Sequence, residues 1–188
     1  MEVVISRFNE NLDWIHNFNK DIKISIFNKG CDINLHHIKL ENLGRESDTF
    51  LRFIVNEYPN FNEYTAFLQG NPFEHIHDVV NIINRHSNDK IVYLSNKILI
   101  DENNGCPHHC GLSIESTASQ LGVYSEKYTF AAGAQYIVHK DLILSKPIGW
   151  WKSALKLHNT PTENYRGNPN MAPWIFERLW INIWNLKV

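Results

Sequence analysis

Five short segments carry the residues whose types and spacing could do chemistry. The first is Pro173-Trp174-Ile175-Phe176-Glu177-Arg178-Leu179-Trp180. A carboxylate set among Trp and Phe is partly desolvated, which raises its pKa toward that of a useful general base. The same Glu177, turned to solvent, would be an ordinary partner for Arg178. The second segment is Arg7-Phe8-Asn9-Glu10. A carboxylate and an amide just after a strand can bind a base or a ribose edge. They can equally cap a helix, with Asn9 at the N-cap and Glu10 at the positive end of the dipole.

The third segment, Asn42-Leu43-Gly44-Arg45-Glu46, would open a helix at Gly44. Arg45 would then stand at a helix N-terminus, where a phosphate can be held, or would simply pair with Glu46. The fourth is Gln69-Gly70-Asn71-Pro72-Phe73-Glu74-His75-Ile76-His77-Asp78. Gln69 and Asn71 offer neutral oxygens. Glu74, His75, His77 and Asp78 are residue types that ligate Mn²⁺ or Zn²⁺, although ligands crowded into five residues cannot all point one way. The fifth is Cys106-Pro107-His108-His109-Cys110. Structural zinc sites usually draw paired ligands from two separated stretches, so this run needs help from Cys31, His36 or His37, or is a surface loop with reduced thiols.

The elements that must position these residues follow from periodicity. Val3–Ser6 is a short apolar run and reads as a buried strand, followed by Leu12, Ile15 and Phe18 at helical spacing. Ile22–Phe27 alternates with period 2 and stops at Asn28-Lys29-Gly30. Residues 45–58 read as a helix stopped by Pro59, and Thr65–Gln69 as a second buried strand. A helix is expected over about 76–86, a strand at Ile91–Leu94, a loop over 101–112 and a strand over Gln135–Val138. A helix begins near Pro147, with Ile148, Trp151 and Leu155 on one face. Residues 159–170 read as a loop, and Pro173 opens a last helix buried through Phe176, Leu179, Trp180 and Ile183. Strands alternating with helices predict one α/β domain over 1–188, with a mostly parallel central sheet flanked by helices. Ligands in such sheets bind beyond the carboxyl ends of the strands.

Composition narrows the classes. With 188 residues, 43% hydrophobic and 20% charged, the chain is ordinary globular material. A net charge of −2 gives no basic face, so nucleic acid is not an expected partner. No run approaches the length of a membrane span, and Met1–Arg7 shows no basic region leading into an apolar one. Three cysteines cannot all pair within one chain, which reads as a reducing compartment and a cytoplasmic location. Asn reaches 23 residues and Lys outnumbers Arg 12 to 6, a bias that suggests an AT-rich genome.

Taken together, Val4–Ile15, Phe27–Gly30, Asn42–Leu51, Phe67–His75, Ala132–Tyr136 and Glu177–Trp180 are similar to a known family. The chain is identified by them as a member of the domain of unknown function 3431 family (DUF3431), found in bacteria, fungi and large DNA viruses. For a viral member the location would be the host cytoplasm or the virion. The order of segments also resembles small glycosyltransferases of the A-type fold. That resemblance implies a Rossmann-like core that takes a nucleotide sugar as donor and a glycan or other hydroxyl as acceptor. It places Asn9 and Glu10 near the nucleotide, with Arg7, Lys29 and Arg45 as the cations for the diphosphate. Gly133 and Gln135 match the small-residue segment beside the donor sugar. Glu177 matches, in order and helix position, the carboxylate that inverting members use as base. Trp150, Trp151 and Trp174 would line the acceptor side, since aromatic faces suit sugar rings.

The sequence departs from that pattern at Gln69-Gly70-Asn71, where the resemblance implies a metal-binding Asp-x-Asp. A divalent ion normally offsets a diphosphate's charge. Mn²⁺ or Mg²⁺ would here need a site rebuilt from Glu74 and His75. The alternatives are a non-catalytic module that only binds a nucleotide sugar, and a metal-dependent hydrolase built on Glu74, His75, His77 and Asp78.

Overall fold

The computed structural model describes residues 1–160 and 170–185. The first strand, β1 (Glu2–Arg7), runs straight into a loop and a 3₁₀ turn (Asp13–Asn17). Then come β2 (Lys23–Asn28), β3 (Ile38–Lys39), α1 (Arg45–Glu57) and β4 (Tyr64–Gln69). A second 3₁₀ turn (Pro72–Glu74) leads to α2 (Val79–Arg85) and β5 (Ile91–Tyr93). After these lie β6 (Ile98–Glu102), α3 (Ile114–Leu121), β7 (Lys127–Ala131), β8 (Tyr136–His139) and α4 (Lys140–Leu144). The last described elements are α5 (Ile148–His158) and α6 (Ala172–Asn185).

Six strands form the main sheet in the order β3-β2-β1-β4-β8-β5. β1 sits inside it, parallel to β2 on one side and to β4 on the other. Only β8 runs against its neighbours. The α/β architecture with a mostly parallel sheet is therefore as the periodicity predicts. β6 and β7 make a separate antiparallel pair.

Strands buried on both faces explain the unbroken apolar runs. Val4, Phe67, Tyr136 and Val138 pack into one core with α1, α5 and α6. Their neighbours Val3, Ile5, Ala66, Leu68 and Ile137 face the opposite way, against Leu12, Ile15 and Phe18 and against Val79 and Ile83 of α2. Period-2 geometry sends successive side chains to opposite faces, so both faces must be covered.

Four expectations need correction. The spacing of Leu12, Ile15 and Phe18 gives a 3₁₀ turn rather than an α-helix, and α2 begins at Val79, three residues into the predicted span. The predicted loop over 101–112 starts inside β6, whose last residues are Asp101 and Glu102. The pair β6–β7 and the helix α3 have no counterpart in the predicted elements. The apolar run of β6, Ile98-Leu99-Ile100, stops at Asp101 and is shorter than the roughly four to eight residues by which a buried strand is recognised. Of the predicted loop over 159–170, residues 161–169 lie outside the described residues.

Candidate functional site

The carboxyl ends of β1, β2 and β4 stand side by side at Arg7, Asn28 and Gln69. The chain leaves β1 toward β2 and β3, then returns to lay β4 on the other side of β1. That reversal creates a switch point, where α/β sheets commonly bind ligands. Because β8 is antiparallel, its entry rather than its exit meets this edge, with Phe67 opposite Tyr136. Gly133 and Gln135 are delivered to the end of β4 for that reason.

A pocket of about 220 Å³ opens there, lined by Arg45, Glu46, Gln69, Glu74, His75, Gly133, Pro173, Trp174 and Glu177. Seven of these nine residues are among the predicted site residues; Glu46 and Pro173 are the additions. Gln69 and Gln135 tie the floor together. Gln69 Nε2 donates to the Gly133 carbonyl at 2.9 Å, and the Gln69 backbone N–H donates to Gln135 Oε1 at 3.1 Å. Gln135 is fully buried and also donates to the carbonyls of Pro72 and Leu94. Gly133 adopts φ +88°, and a Cβ there would lie 2.3 Å from the His75 ring. Only glycine fits both that backbone and that approach.

Glu177 is the most firmly held acid of the pocket. Its Oε1 accepts the Gly133 N–H at 2.8 Å, and its Oε2 accepts from Arg178 Nη1. Arg178 is buried and gathers further partners. Its Nε donates to Asp101 Oδ2 at 3.0 Å, its Nη1 to the Trp174 carbonyl at 3.2 Å, and its Nη2 to His109 Nδ1 at 2.7 Å. Its guanidinium also lies 4.2 Å from the centre of the Phe130 ring. An acceptor role leaves His109 Nδ1 without its proton. So α6 supplies Glu177, and the β6–β7 pair with its following loop supplies what fixes it.

The local sequence marks Glu46 only as a possible partner for Arg45. It faces the same pocket with only 11% of its side chain exposed. Burial pushes its pKa up to about 7; the charge of Glu177 adds to the rise, and those of Arg45 and Lys29 oppose it. The site thus pairs an anchored carboxylate with one that takes up and releases a proton near neutral pH. Tyr136, buried beneath, has its hydroxyl pushed well above its ordinary pKa by burial first and by Glu177 second.

Arg45 enters α1 with φ +49°, directly after Gly44 at φ +62°. Lys29 holds this left-handed turn, with its Nζ donating to the carbonyls of Leu43 and Arg45, each at 2.5 Å, and to Asp48 at 3.1 Å. The Arg45 side chain is exposed and its guanidinium lies 5.4 Å from the centre of the Trp174 ring.

The remaining predicted residues fall elsewhere, for clear reasons. Lys29 is buried, and three acceptors already surround its ammonium. Burial pushes its pKa down, against the opposing charge of Asp48. Arg7 is also buried and braces the loop after β1 through the carbonyls of Phe8, Glu10 and Cys31 and through Asn28 Oδ1. Both are internal clamps, which corrects the expectation that they are cations free for a diphosphate. Asn9 accepts the Cys31 N–H at 2.9 Å, and Glu10 accepts the Phe8 N–H at 2.6 Å while packing against Gly70. Both lie on the loop that follows β1 and neither lines the pocket. Asn71 donates to Glu74 at 3.1 Å.

Trp151 is fully buried, with its indole N–H on the Ile143 carbonyl, so it belongs to the core rather than to an acceptor wall. Trp150 packs against that core and donates to the Leu121 carbonyl. Of the three predicted acceptor-side tryptophans, Trp174 alone lines the pocket. Glu74 and His75 line it as well, whereas His77 and Asp78 do not. Among the described residues, no three His, Cys, Asp or Glu side chains are grouped as a metal ion requires. That finding covers the Cys106–Cys110 run as well as the Glu74–Asp78 run. No helix among the described residues is long and apolar enough to cross a membrane.

The chain matches the model of a family described as protein of unknown function (DUF3431) over residues 3–188. No curated protein and no solved structure matches it.

Proposed function

We propose that this chain, which belongs to the DUF3431 family, is a glycosyltransferase-like enzyme of the A-type fold that moves a sugar from a nucleotide donor to an acceptor hydroxyl. One observation carries the reading: Glu46 and Glu177 share a pocket with Trp174 and Arg45 at the carboxyl edge of the sheet. Carboxylates accept hydrogen bonds from sugar hydroxyls, and an aromatic face covers a pyranose ring. Arg45 at the start of α1 is the exposed cation for the leaving diphosphate, assisted by the helix N-terminus. The β1 edge at Asn9 and Glu10 is assigned to the nucleoside.

In this mechanism the acceptor hydroxyl lies against Glu177, whose orientation is fixed by Gly133 and Arg178. The hydroxyl oxygen attacks the anomeric carbon, the bond to the diphosphate breaks, and the acceptor's proton passes to the Glu177 carboxylate. Glu46, protonated below about pH 7, donates a hydrogen bond to a sugar oxygen in the same pocket. Among the described residues no three ligating side chains are grouped for a divalent ion, and these steps use only the chain's own residues.

A second reading, a module that binds a nucleotide sugar without transferring it, is favoured by one detail. The amides replacing the metal-binding acids are engaged internally, Gln69 on Gly133 and Asn71 on Glu74. A thermal-shift screen of nucleotide sugars, with and without Mn²⁺, followed by calorimetry and a turnover assay, separates the readings. Binding with turnover that Glu177→Gln abolishes supports the enzyme. Binding without transfer or hydrolysis supports the module, and no binding of any nucleotide sugar rejects both.

A further inference from the structure

We propose that Cys106 and Cys110 are a dithiol–disulfide couple, closed by exchange with a low-molecular-weight disulfide, that acts on Glu177 through His109 and Arg178. The proposal does not depend on what the pocket binds.

The two sulfur atoms lie 2.8 Å apart, about 0.8 Å more than the length of a disulfide bond, so little movement is needed to join them. Both residues reach solvent, and Cys110 is the more exposed. The surrounding turn holds them in place. Asn104 Oδ1 accepts the Cys106 N–H at 3.2 Å, the Cys106 carbonyl accepts the Glu102 N–H at 2.8 Å, and Asp101 Oδ1 accepts the His108 N–H at 3.1 Å. Cys106 donates its S–H to Cys110, and this contact, more than burial, pushes the Cys106 thiol up. The more exposed Cys110 is the attacking sulfur and Cys106, lying beside it, the resolving one.

The exchange balances in two steps. The Cys110 thiolate attacks one sulfur of a small disulfide such as glutathione disulfide, and one small thiol leaves. Cys106 then loses its proton and attacks the Cys110 sulfur of the mixed disulfide, and the second small thiol leaves. The protein gives up two electrons and two protons, and the small disulfide takes them.

The consequence lies next door. His109 immediately precedes Cys110, and its Nδ1 accepts from Arg178 at 2.7 Å. Arg178 in turn donates to Glu177. Closing the bond tightens the turn over 106–110 and rotates His109, which alters the support of the pocket's anchored acid. In a reducing compartment the pair rests as thiols and closes only under oxidising conditions.

The test equilibrates the full chain in reduced/oxidised glutathione buffers, alkylates it and maps the peptides by mass. The expected result is a peptide carrying both Cys106 and Cys110 that has lost two hydrogens, while Cys31 is not part of that bond. Alkylation of both residues even in the most oxidising buffer, or glutathione adducts alone, overturns the couple. Amide NMR reads the coupling. The Gly133 and Glu177 signals should shift between reduced and oxidised protein, and stay in place for Cys110→Ser in the same buffers. A closed disulfide with both signals unmoved overturns the link to Glu177.

Discussion

The Gly133 backbone N–H donates to the Glu177 carboxylate at 2.8 Å, across 44 residues of sequence. This bond joins the turn before β8 to the first turns of α6, and it depends on a residue without a side chain. Gly133→Ala places a methyl 2.3 Å from the His75 ring on a backbone at φ +88°. Gly122 offers the control, since its φ is +67° and a Cβ there meets nothing within 4 Å. Gly122→Ala should lose only the left-handed backbone cost, about 1–2 kcal/mol. Gly133→Ala should lose more by thermal melting. It should also lower nucleotide-sugar binding or turnover at least tenfold, because displacing a positioned group by about 1 Å can cost a hundredfold. Equal effects of the two variants would remove Gly133 from the site.

Glu46 makes stability and activity depend on pH in a defined window. Its folded pKa is about 7 against an ordinary value of 4.5. The folded state therefore binds the proton more tightly than the unfolded state. Stability falls as pH rises from about 4.5 and the loss is complete above about 7. Glu46→Gln removes the titration. The variant should match the native chain near pH 4.5 and exceed it by about 3 kcal/mol at pH 8, measured by denaturant unfolding at both pH values. If the protein turns over substrate, the variant should also lose the inflection of the rate profile near pH 7.

The buried pair Arg178–Asp101 is the support whose removal should hurt most. Both side chains are almost wholly buried, and their closest contact is 3.0 Å. Removing one partner of a buried pair leaves an uncompensated charge, at about 3–5 kcal/mol. Asp101→Ala should therefore lower the melting temperature by roughly 10 °C for a chain of this size. A shift of only a degree or two would mean that Glu177 and His109 are sufficient partners for Arg178.

The sequence carried much of this arrangement, and the gaps have physical causes. β1 and β4 are buried on both faces and show as apolar runs, β2 shows by its period-2 alternation, and together they place Arg7, Asn28 and Gln69 at one edge. Glu177 stands out because aromatic residues surround it in the chain. Glu46 does not, since the residues with which it shares the pocket, Gly133, Trp174 and Glu177, lie far along the chain. Asp101 reads only as part of a loop and His109 only as a candidate zinc ligand, because their partner Arg178 lies on α6. Lys29 and Arg7 misled for the converse reason. A basic residue at a strand end suits a phosphate, and nothing in the local sequence reveals that backbone carbonyls already surround it.

His158 should sensitise the fold to acid. It is buried beside Gly44, and burial lowers its pKa to about 4 from 6.5. The unfolded chain takes up the proton first, so this residue's contribution is intact above about 6.5 and is lost progressively as pH falls toward 4. His158→Gln should flatten the stability profile between those values, with the two profiles running parallel above pH 7. Unchanged steepness between pH 6.5 and 4 would show that other groups govern acid unfolding there.

Trp174 and Trp151 separate binding from packing, although both lie in the aromatic-rich last part of the chain. Trp151 is wholly buried, 4.8 Å from the ring of Trp150 and 5.7 Å from that of Trp184, with its N–H satisfied inside. Trp151→Ala opens a cavity and should destabilise by about 3–5 kcal/mol. Trp174 lines the pocket beneath the Arg45 guanidinium and is only partly buried. Its truncation removes a face on which a sugar ring can lie and frees Arg45, while the core beneath stays filled. Trp174→Ala should shift the melting temperature by a few degrees at most and weaken nucleotide-sugar binding about tenfold or more in calorimetry, as loss of a stacking anchor does. Native affinity in Trp174→Ala would move the ligand away from this pocket and remove the observation on which sugar transfer is proposed.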